Sequence, residues 1–192
     1  MWRAVFLDRD GVLNRLVLRD RGAASPRSLA EFELLPGARP TIEALRRAAL
    51  RTLVVTNQPD IARGLLARAE LELMHAHLLH MVPVDAIYVC PHDDCDACAC
   101  RKPKPGLLEQ ASRAWGVALA ESFLVGDSWK DVAAGKAAGC TTIFLAPSDE
   151  RPLEAEPDFV ARDLPAAAEL ILAKLLWRGS RRAVATKWAC ET

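Results

Sequence analysis

A doubly wound, Rossmann-like α/β fold, with a parallel sheet and helices on both of its faces, is what this 192-residue sequence predicts. Three observations carry the prediction. Short apolar runs rich in Val, Ile, Leu and Phe recur along the chain, as strands buried on both faces require. Segments with helical spacing of apolar residues separate these runs, the alternation that lays strands parallel. The runs also stop abruptly at polar residues or glycine, a composition suited to a crevice at the carboxyl ends of the strands.

The first run, Ala4-Val5-Phe6-Leu7, stops at Asp8-Arg9-Asp10-Gly11, two carboxylates two residues apart and then a residue that lets the chain turn away. Acids this close repel unless a cation or proton lies between them, and a hard divalent ion such as Mg²⁺ suits oxygen ligands. Residues 15–33 have mixed charge and no clear period; they are expected to form a loop overhanging the crevice, with 31–35 a short strand or turn. Pro36-Gly37 opens a helix in which Ile42, Leu45 and Ala49 face the core while Glu43, Arg46 and Arg47 face water. Residues 52–55 form a second strand ending in Thr56-Asn57-Gln58-Pro59. A helix follows over 68–81, with Leu71, Met74, Leu78 and Leu79 as its apolar stripe. Residues 84–89 give a third strand, which runs directly into a cysteine-rich segment. Pro105 suits the first turn of a helix that carries Leu107, Leu108, Ala111 and Trp115 and stops at Gly116. Residues 122–125 form a fourth strand ending in Gly126-Asp127. A helix through 132–138 ends at Gly139, and residues 141–145 form a fifth strand. Residues 158–160 read as a short edge strand. A closing amphipathic helix over 164–177 uses Leu164, Ala168, Ile171, Leu172, Leu175 and Leu176. One domain over residues 1–177 follows, with no separate cap domain and an insert at 90–105. The basic, aperiodic residues 178–192 are expected to be a flexible tail.

Composition narrows the classes of function. Half of the residues are apolar and 25 basic residues balance 25 acidic ones, so no basic stripe calls for nucleic acid. No apolar run approaches the length that spans a bilayer. The chain enters a strand at once, without the basic and apolar regions of a secretory signal, which predicts a cytoplasmic protein. A monomer that meets a small molecule, and neither nucleic acid nor membrane, is expected.

Three further clusters fall at predicted strand ends. The Thr56 hydroxyl, the Asn57 and Gln58 amides and the nearby backbone N–H groups can donate to phosphate oxygens. Arg101-Lys102-Pro103-Lys104-Pro105 sets cations before a helix N-terminus, where anions are already favoured. In Gly126-Asp127-Ser128-Trp129-Lys130-Asp131 the two acids can share one face of a helix start. With the Asp8–Gly11 stretch these make four, and each has a plainer reading alone: an acidic turn, an Asx turn, a solvated charge run, and helix capping by Asp127.

Taken in this order, D-x-D-G, a strand-end Thr, a Lys before a helix, and G-D-x-x-x-D resemble the four motifs of the haloacid dehalogenase superfamily, over roughly residues 3–145. The resemblance implies a magnesium-dependent phosphohydrolase. Asp8 would be the nucleophile that becomes an aspartyl-phosphate, and Asp10 the general acid and then base. Thr56 and Lys102 would hold the transferring phosphoryl group. Asp8, the backbone carbonyl of Asp10 and Asp127 would ligate Mg²⁺, with Asp131 supporting. A carboxylate attacking a phosphate dianion meets repulsion that the metal and lysine must offset. The covalent intermediate divides one displacement into two. Asp10 must hold a proton in the first step, so its pKa should be raised in the enzyme–substrate complex.

Cys90, His92, Cys95, Cys98 and Cys100 offer five soft or borderline ligands within eleven residues. In an intracellular chain such crowding favours a metal over disulfides. Zn²⁺ takes four ligands, and a site closed by protein alone is structural. The spacing, running straight into Arg101-Lys102-Pro103, resembles the zinc loop of the superfamily branch that holds heptose bisphosphate and histidinol phosphate phosphatases. The resemblance selects Cys90, His92, Cys98 and Cys100; an all-cysteine set with Cys95 in place of His92 is the alternative. With Thr56-Asn57-Gln58 and Ile61-Ala62-Arg63-Gly64, it implies removal of the C7 phosphate from D-glycero-D-manno-heptose 1,7-bisphosphate, with Asn57, Gln58 and Arg101 contacting substrate. Histidinol phosphate or another small phosphomonoester is the second substrate reading, and a non-catalytic phosphosugar-binding module a different class. Residues 15–33 are longer than the branch's usual loop and lack its Gly-Tyr-Val-type segment, and Ser128 replaces a lysine that often follows the fourth-motif Asp. His75, His77 and His80 are expected at the surface of their helix rather than as ligands.

Overall fold

The computed structural model describes residues 1–20, 22–146 and 155–185, with side chains to residue 177. The first strand, β1 (Ala4–Leu7), is wholly buried. A small antiparallel hairpin follows, β2 (Val17–Arg19) and β3 (Gly22–Ala24). Then come α1 (Ala38–Arg47), β4 (Arg51–Asn57), α2 (Arg68–Met81), β5 (Ala86–Cys90), α3 (Gly106–Trp115), β6 (Phe123–Gly126), α4 (Trp129–Ala138), β7 (Thr141–Leu145), β8 (Phe159–Ala161) and α5 (Leu164–Ala185). Six strands form one sheet in the order β5-β4-β1-β6-β7-β8, and every neighbouring pair is parallel.

Two cores follow from the alternation of side chains across β1. Val5 and Leu7 face the layer of α1, α2 and α5, where they pack with Ile42, Leu45, Met74, Leu78 and Ile171. Ala4 and Phe6 face the other layer, with Leu107, Leu108 and Ala111 of α3 and Ala134 of α4. Burying each large aliphatic side chain contributes about 1.5–3 kcal/mol, so this double-sided packing fixes β1 at the centre of the sheet. Leu7 stands beside Val54 on one side and Val125 on the other. That register brings the carboxyl ends of β1, β4 and β6 together, and with them Asp8, Thr56 and Asp127.

The predicted elements are found in the predicted order, with local differences. The loop at 15–33 carries the β2–β3 hairpin and then a short 3₁₀ turn, Leu29–Glu31. Helix α1 stops at Arg47, so Ala49 lies past its end, exposed and at φ 59°. Its inner face is completed by Ala38 and Thr41 instead. In α2 the stripe is Leu71, Met74 and Leu78, while Leu79, one position further round, is 48% exposed. Helix α5 continues to Ala185, eight residues beyond the expected end. Arg and Ala in 178–185 are strong helix formers, enough to carry on a helix already nucleated by packing. Residues 186–192 of the expected tail lie outside the described residues. No helix among the described residues is long and apolar enough to cross a membrane.

Candidate active site and metal centres

Lys102 organises the crevice. Its ammonium group is buried and donates to the Val55 backbone carbonyl at 2.9 Å and to Asp131 Oδ1 at 2.5 Å. It also lies 2.9 Å from Asp8 Oδ1. Burial alone would lower its pKa, but the charges of Asp131 and Asp8 hold it above the ordinary lysine range. Asn57 fixes the lysine backbone from behind: its Nδ2 donates to the Lys102 carbonyl at 3.0 Å, and its Oδ1 accepts from the Lys102 N–H at 3.1 Å. A side-chain amide matches a peptide donor and acceptor, so Asn57, expected to contact substrate, also positions Lys102.

Carboxylate oxygens of Asp8, Asp127 and Asp131 can lie within 4.8 Å of one another. Asp8 is pushed up to about 7 by burial, against the opposing pull of Lys102, with Asp131 and Asp10 adding to the rise. Burial and the charges of Asp8 and Asp131 push Asp127 up to about 8. Carboxylates in this condition suit a hard divalent cation, which takes oxygen ligands and relieves their repulsion. Two glycines allow the approach. A Cβ on Gly11, which sits at φ +80°, would stand 1.8 Å from Asp127 Oδ2, and one on Gly126 would stand 2.2 Å from the Asp131 Cβ. Capping of α4 falls to Ser128 rather than Asp127: Ser128 Oγ accepts from the Lys130 N–H, and Asp131 Oδ2 accepts from the Ser128 N–H at 3.1 Å. Asp127 is thereby left to face Asp8.

The Asp10 carboxylate lies outside that cluster. It is neutralised by its neighbour. Arg9 Nη2 donates to Asp10 Oδ1 at 2.7 Å and Oδ2 at 3.0 Å, and Arg9 Nε to Oδ1 at 3.1 Å. Asn14 Nδ2 and Gln58 Nε2 each donate at 2.8 Å, and the Ser25 hydroxyl bonds it as well. Burial pushes Asp10 up, but the Arg9 charge and these donors hold it below the usual carboxylate range. Gln58 Nε2 also reaches Thr56 Oγ1 at 3.0 Å, joining two of the predicted site residues.

Sequence reasoning missed Arg9, Asn14, Ser25 and His75. Arg9 is fully buried, its Nη1 lies 3.1 Å from His75 Nε2, and its guanidinium stands 5.7 Å from the Phe32 ring centre. Burial and the Arg9 charge lower His75 to about 4, so the imidazole is neutral and accepts from Arg9. A basic residue between two strand-end acids is a signal that could have exposed Arg9. Nothing in the helix pattern marks His75.

The second cluster lies beyond β5. Cys90 Sγ is 3.2 Å from Cys100 Sγ and 3.6 Å from Cys98 Sγ, and Cys98 and Cys100 are 3.4 Å apart. His92 Nδ1 lies 3.6 Å from Cys90 Sγ and 3.4 Å from Cys100 Sγ. A tetrahedral zinc with Zn–S bonds of about 2.3 Å sets its sulfurs ~3.8 Å apart, so these four residues fit that ion. Cys95 is exposed and outside the group, and the geometry thus selects the histidine-containing set. Arg101 is turned to this loop, its Nε donating to Asp94 Oδ1 at 2.7 Å and its Nη1 to the His92 carbonyl at 3.1 Å. Placed there it braces the loop, a role the sequence did not indicate.

Residues 15–139 match the family model of haloacid dehalogenase-like hydrolases. The chain belongs to that family. This hydrolase is 36% identical over 180 residues to D-glycero-beta-D-manno-heptose-1,7-bisphosphate 7-phosphatase of Bordetella bronchiseptica, over 88% of this chain and 98% of the relative. It is 37% identical over 152 residues to D-glycero-alpha-D-manno-heptose-1,7-bisphosphate 7-phosphatase of Mycobacterium tuberculosis, over 73% of this chain and 78% of that one. Among solved structures it resembles D,D-heptose 1,7-bisphosphate phosphatase from B. bronchiseptica complexed with magnesium and phosphate. The TM-score is 0.75 at 35% identity, covering 90% of this chain and 99% of the other. The corresponding enzyme from Burkholderia thailandensis gives a TM-score of 0.63 at 25% identity, covering 89% and 99%.

Proposed function

We propose that this hydrolase removes the C7 phosphate of D-glycero-D-manno-heptose 1,7-bisphosphate through a phosphorylated Asp8. The observation that carries the chemistry is the Asp8 carboxylate held 2.9 Å from the buried Lys102 ammonium group at the mouth of the sheet. Relatives similar over nearly their whole length, named for that heptose phosphatase activity, support the substrate.

Each residue then has a task. Asp8 attacks phosphorus, and the bond to the sugar oxygen breaks as the Asp8–phosphorus bond forms. Lys102 and the Thr56 hydroxyl hold the phosphoryl oxygens and oppose the repulsion between anions. Asp10 gives its proton to the leaving sugar oxygen, then takes one from the water that attacks the aspartyl-phosphate. Arg9 keeps Asp10 ionised in the arrangement seen here, and the incoming phosphate dianion is what raises its proton affinity. Asp8, Asp127 and the Asp10 carbonyl would hold Mg²⁺, with Asp131 behind them, and the ion would supply charge stabilisation at the phosphoryl oxygens. Cys90, His92, Cys98 and Cys100 would hold Zn²⁺, which stiffens a loop with few apolar side chains of its own. A binding module would need only the cations, whereas the second acid at Asp10, held by five hydrogen bonds from Arg9, Asn14 and Gln58, is a device for moving a proton.

Phosphate release with magnesium is the test, measured across both anomers of heptose 1,7-bisphosphate, histidinol phosphate and fructose 1,6-bisphosphate. A higher kcat/KM for one heptose anomer than for the other compounds is expected. Preference for histidinol phosphate would overturn the substrate, and binding without turnover would overturn the enzyme.

A further inference from the structure

Proton transfer from Asp10 depends on where its carboxyl group points, because a misplacement of about 1 Å can cost ~10²-fold in rate. That direction is set chiefly by Arg9, whose Nε and Nη2 engage the two carboxylate oxygens. An arginine side chain has many rotamers to lose, so the fork holds Asp10 only as firmly as it is itself held. Arg9 is fully buried, and two contacts from other elements fix it. His75 Nε2 accepts an Nη1 N–H at 3.1 Å, and the Phe32 ring centre stands 5.7 Å from the guanidinium.

Helix α2 stands behind both contacts. Its inner stripe of Leu71, Met74 and Leu78 is seated in the core shared with α1 and α5, and His75, next to Met74, is half-buried. Two residues on, His77 meets the Phe32 ring edge to face, with ring centres 6.1 Å apart. One helix anchored in the core therefore supplies the acceptor for Arg9 and backs the aromatic wall beside it. Burial and the Arg9 charge keep the His75 ring neutral, so Nε2 can accept while Nδ1 carries the proton. The ring also borders a cavity of about 140 Å³ with Ile61, Arg68, Glu72, Val89 and Pro91 in its walls. Packing alone asks only for a side chain of suitable volume at this position; a buried N–H asks for an acceptor.

We propose that His75 is a positioning residue for hydrolysis: by holding Arg9 Nη1 it keeps the guanidinium fork aligned on Asp10, and so keeps the general acid aimed at the leaving oxygen. The inference rests on the phosphatase reading above and adds to it a residue to which that reading gives no task. His75 itself exchanges no proton; the proton passes from Asp10 to the sugar oxygen, and later from water to Asp10. Asp8 and Asp131 keep their own counter-charge in Lys102, so phosphate binding in the crevice does not depend on His75.

The test measures kcat, and the inhibition constant of inorganic phosphate, in the whole chain with magnesium, on whichever compound of the panel above the parent turns over fastest. His75→Phe keeps a ring in the slot without an acceptor, and His75→Gln gives up the ring but keeps an acceptor. Loss of alignment should lower kcat about 10- to 100-fold in His75→Phe. The inhibition constant, which involves no proton transfer, should move less than about threefold. His75→Gln should recover part of kcat. If His75→Phe does not fold, His75→Ala decides, with imidazole admitted through the neighbouring cavity and expected to restore turnover. A kcat within about threefold of the parent in His75→Phe overturns the role, as do equal losses in kcat and in phosphate binding. A loss that neither His75→Gln nor imidazole recovers overturns it too, and the phosphatase reading survives each of these results. A parent inactive on every compound of the panel overturns both.

Discussion

Replacing Lys102 by Met tests the electrostatic design of the crevice most directly. Methionine preserves most of the side-chain volume, so the change removes a charge and three donors with little packing loss. Lys102 is bonded to Asp131, itself buried, and stands beside Asp8. Removing one partner of a buried pair leaves an uncompensated charge, which costs about 3–5 kcal/mol. For a chain of this size each kcal/mol shifts the melting temperature by roughly 2–4 °C, so the variant should melt roughly 6–20 °C below the parent without magnesium. Added magnesium should recover part of that loss, because the cation offsets the carboxylates that the lysine no longer faces. Phosphate release should fall about 10²- to 10³-fold, as for loss of one preorganised donor to a developing anion. The companion variant is Asp131→Asn in the same background, followed by thermal denaturation and a double-mutant cycle. With the orphaned carboxylate gone, the pair of changes should cost at least about 1 kcal/mol less than the sum of the two alone. Additive costs, or a Lys102→Met protein melting within 2 °C of the parent, would refute the idea that this ion pair holds the site together.

Asp8→Asn should retain the fold yet abolish phosphate release, and borohydride reduction of the parent quenched during turnover should convert the acyl-phosphate at Asp8 to homoserine, read by mass spectrometry; absence of homoserine would end the covalent reading. Cys100→Ser should lower bound zinc, read by elemental analysis, and lower the melting temperature before it changes the carboxylate chemistry; an unchanged zinc content would exclude the four-ligand site. His75→Phe strands an Arg9 N–H in a buried setting and should cost about 1–3 kcal/mol, read by urea denaturation, with His75→Gln restoring part of it. Between pH 6.5 and 8 the zinc-loaded, magnesium-free protein should lose stability as pH rises. Asp8 and Asp127 are pushed up to about 7 and about 8 in the fold, so the native state binds more protons than the unfolded chain there, and the stability slope with pH is negative. A melting temperature that climbs across this interval without magnesium would show the sign to be wrong.

The sheet was legible because each central strand is a closed apolar run bounded by polar residues, a pattern that buried parallel strands impose. Ala4–Leu7 and Thr141–Leu145 coincide with the observed strands for that reason. The hairpin at β2 and β3 was illegible for the opposite reason. It is mostly solvent-facing, and Gly22-Ala23-Ala24 has neither the alternation nor the β-branched residues that mark a strand. The site was legible as residue types, not as directions. Thr56, Lys102, Asp127 and the four zinc-loop residues come together where spacing placed them. The bonds of Asn57 to the Lys102 backbone and of Arg101 to Asp94 were not legible, because a motif gives the position of a side chain and not its protein partners. His75 reaches Arg9 from a residue 66 positions away in sequence, and no local pattern encodes such a contact.

Spacing alone sets the Asp8 and Asp10 carboxylates side by side, whereas the structure turns them to different counter-charges, and the division explains the charges around both. Arg9 neutralises Asp10 on one side of the strand end, while Lys102 lies between Asp8 and Asp131 on the other. The two buried cations face four carboxylates, those of Asp8, Asp10, Asp127 and Asp131. Two negative charges are left over, the charge that one divalent ion supplies. The upward shifts fall on Asp8 and Asp127 and not on Asp10, which locates the deficit where the transferring phosphate would arrive. A nucleophile must be ionised and an acid protonated at the same pH, and two separate counter-charges let one strand end set them independently. Placing Arg9 on the acid and Lys102 on the nucleophile makes the state of Asp8 depend on the metal and that of Asp10 on the substrate. Exchanging Arg9 for a neutral residue should therefore disturb proton transfer without weakening the affinity for magnesium, a separation that isothermal titration and leaving-group dependence can measure side by side.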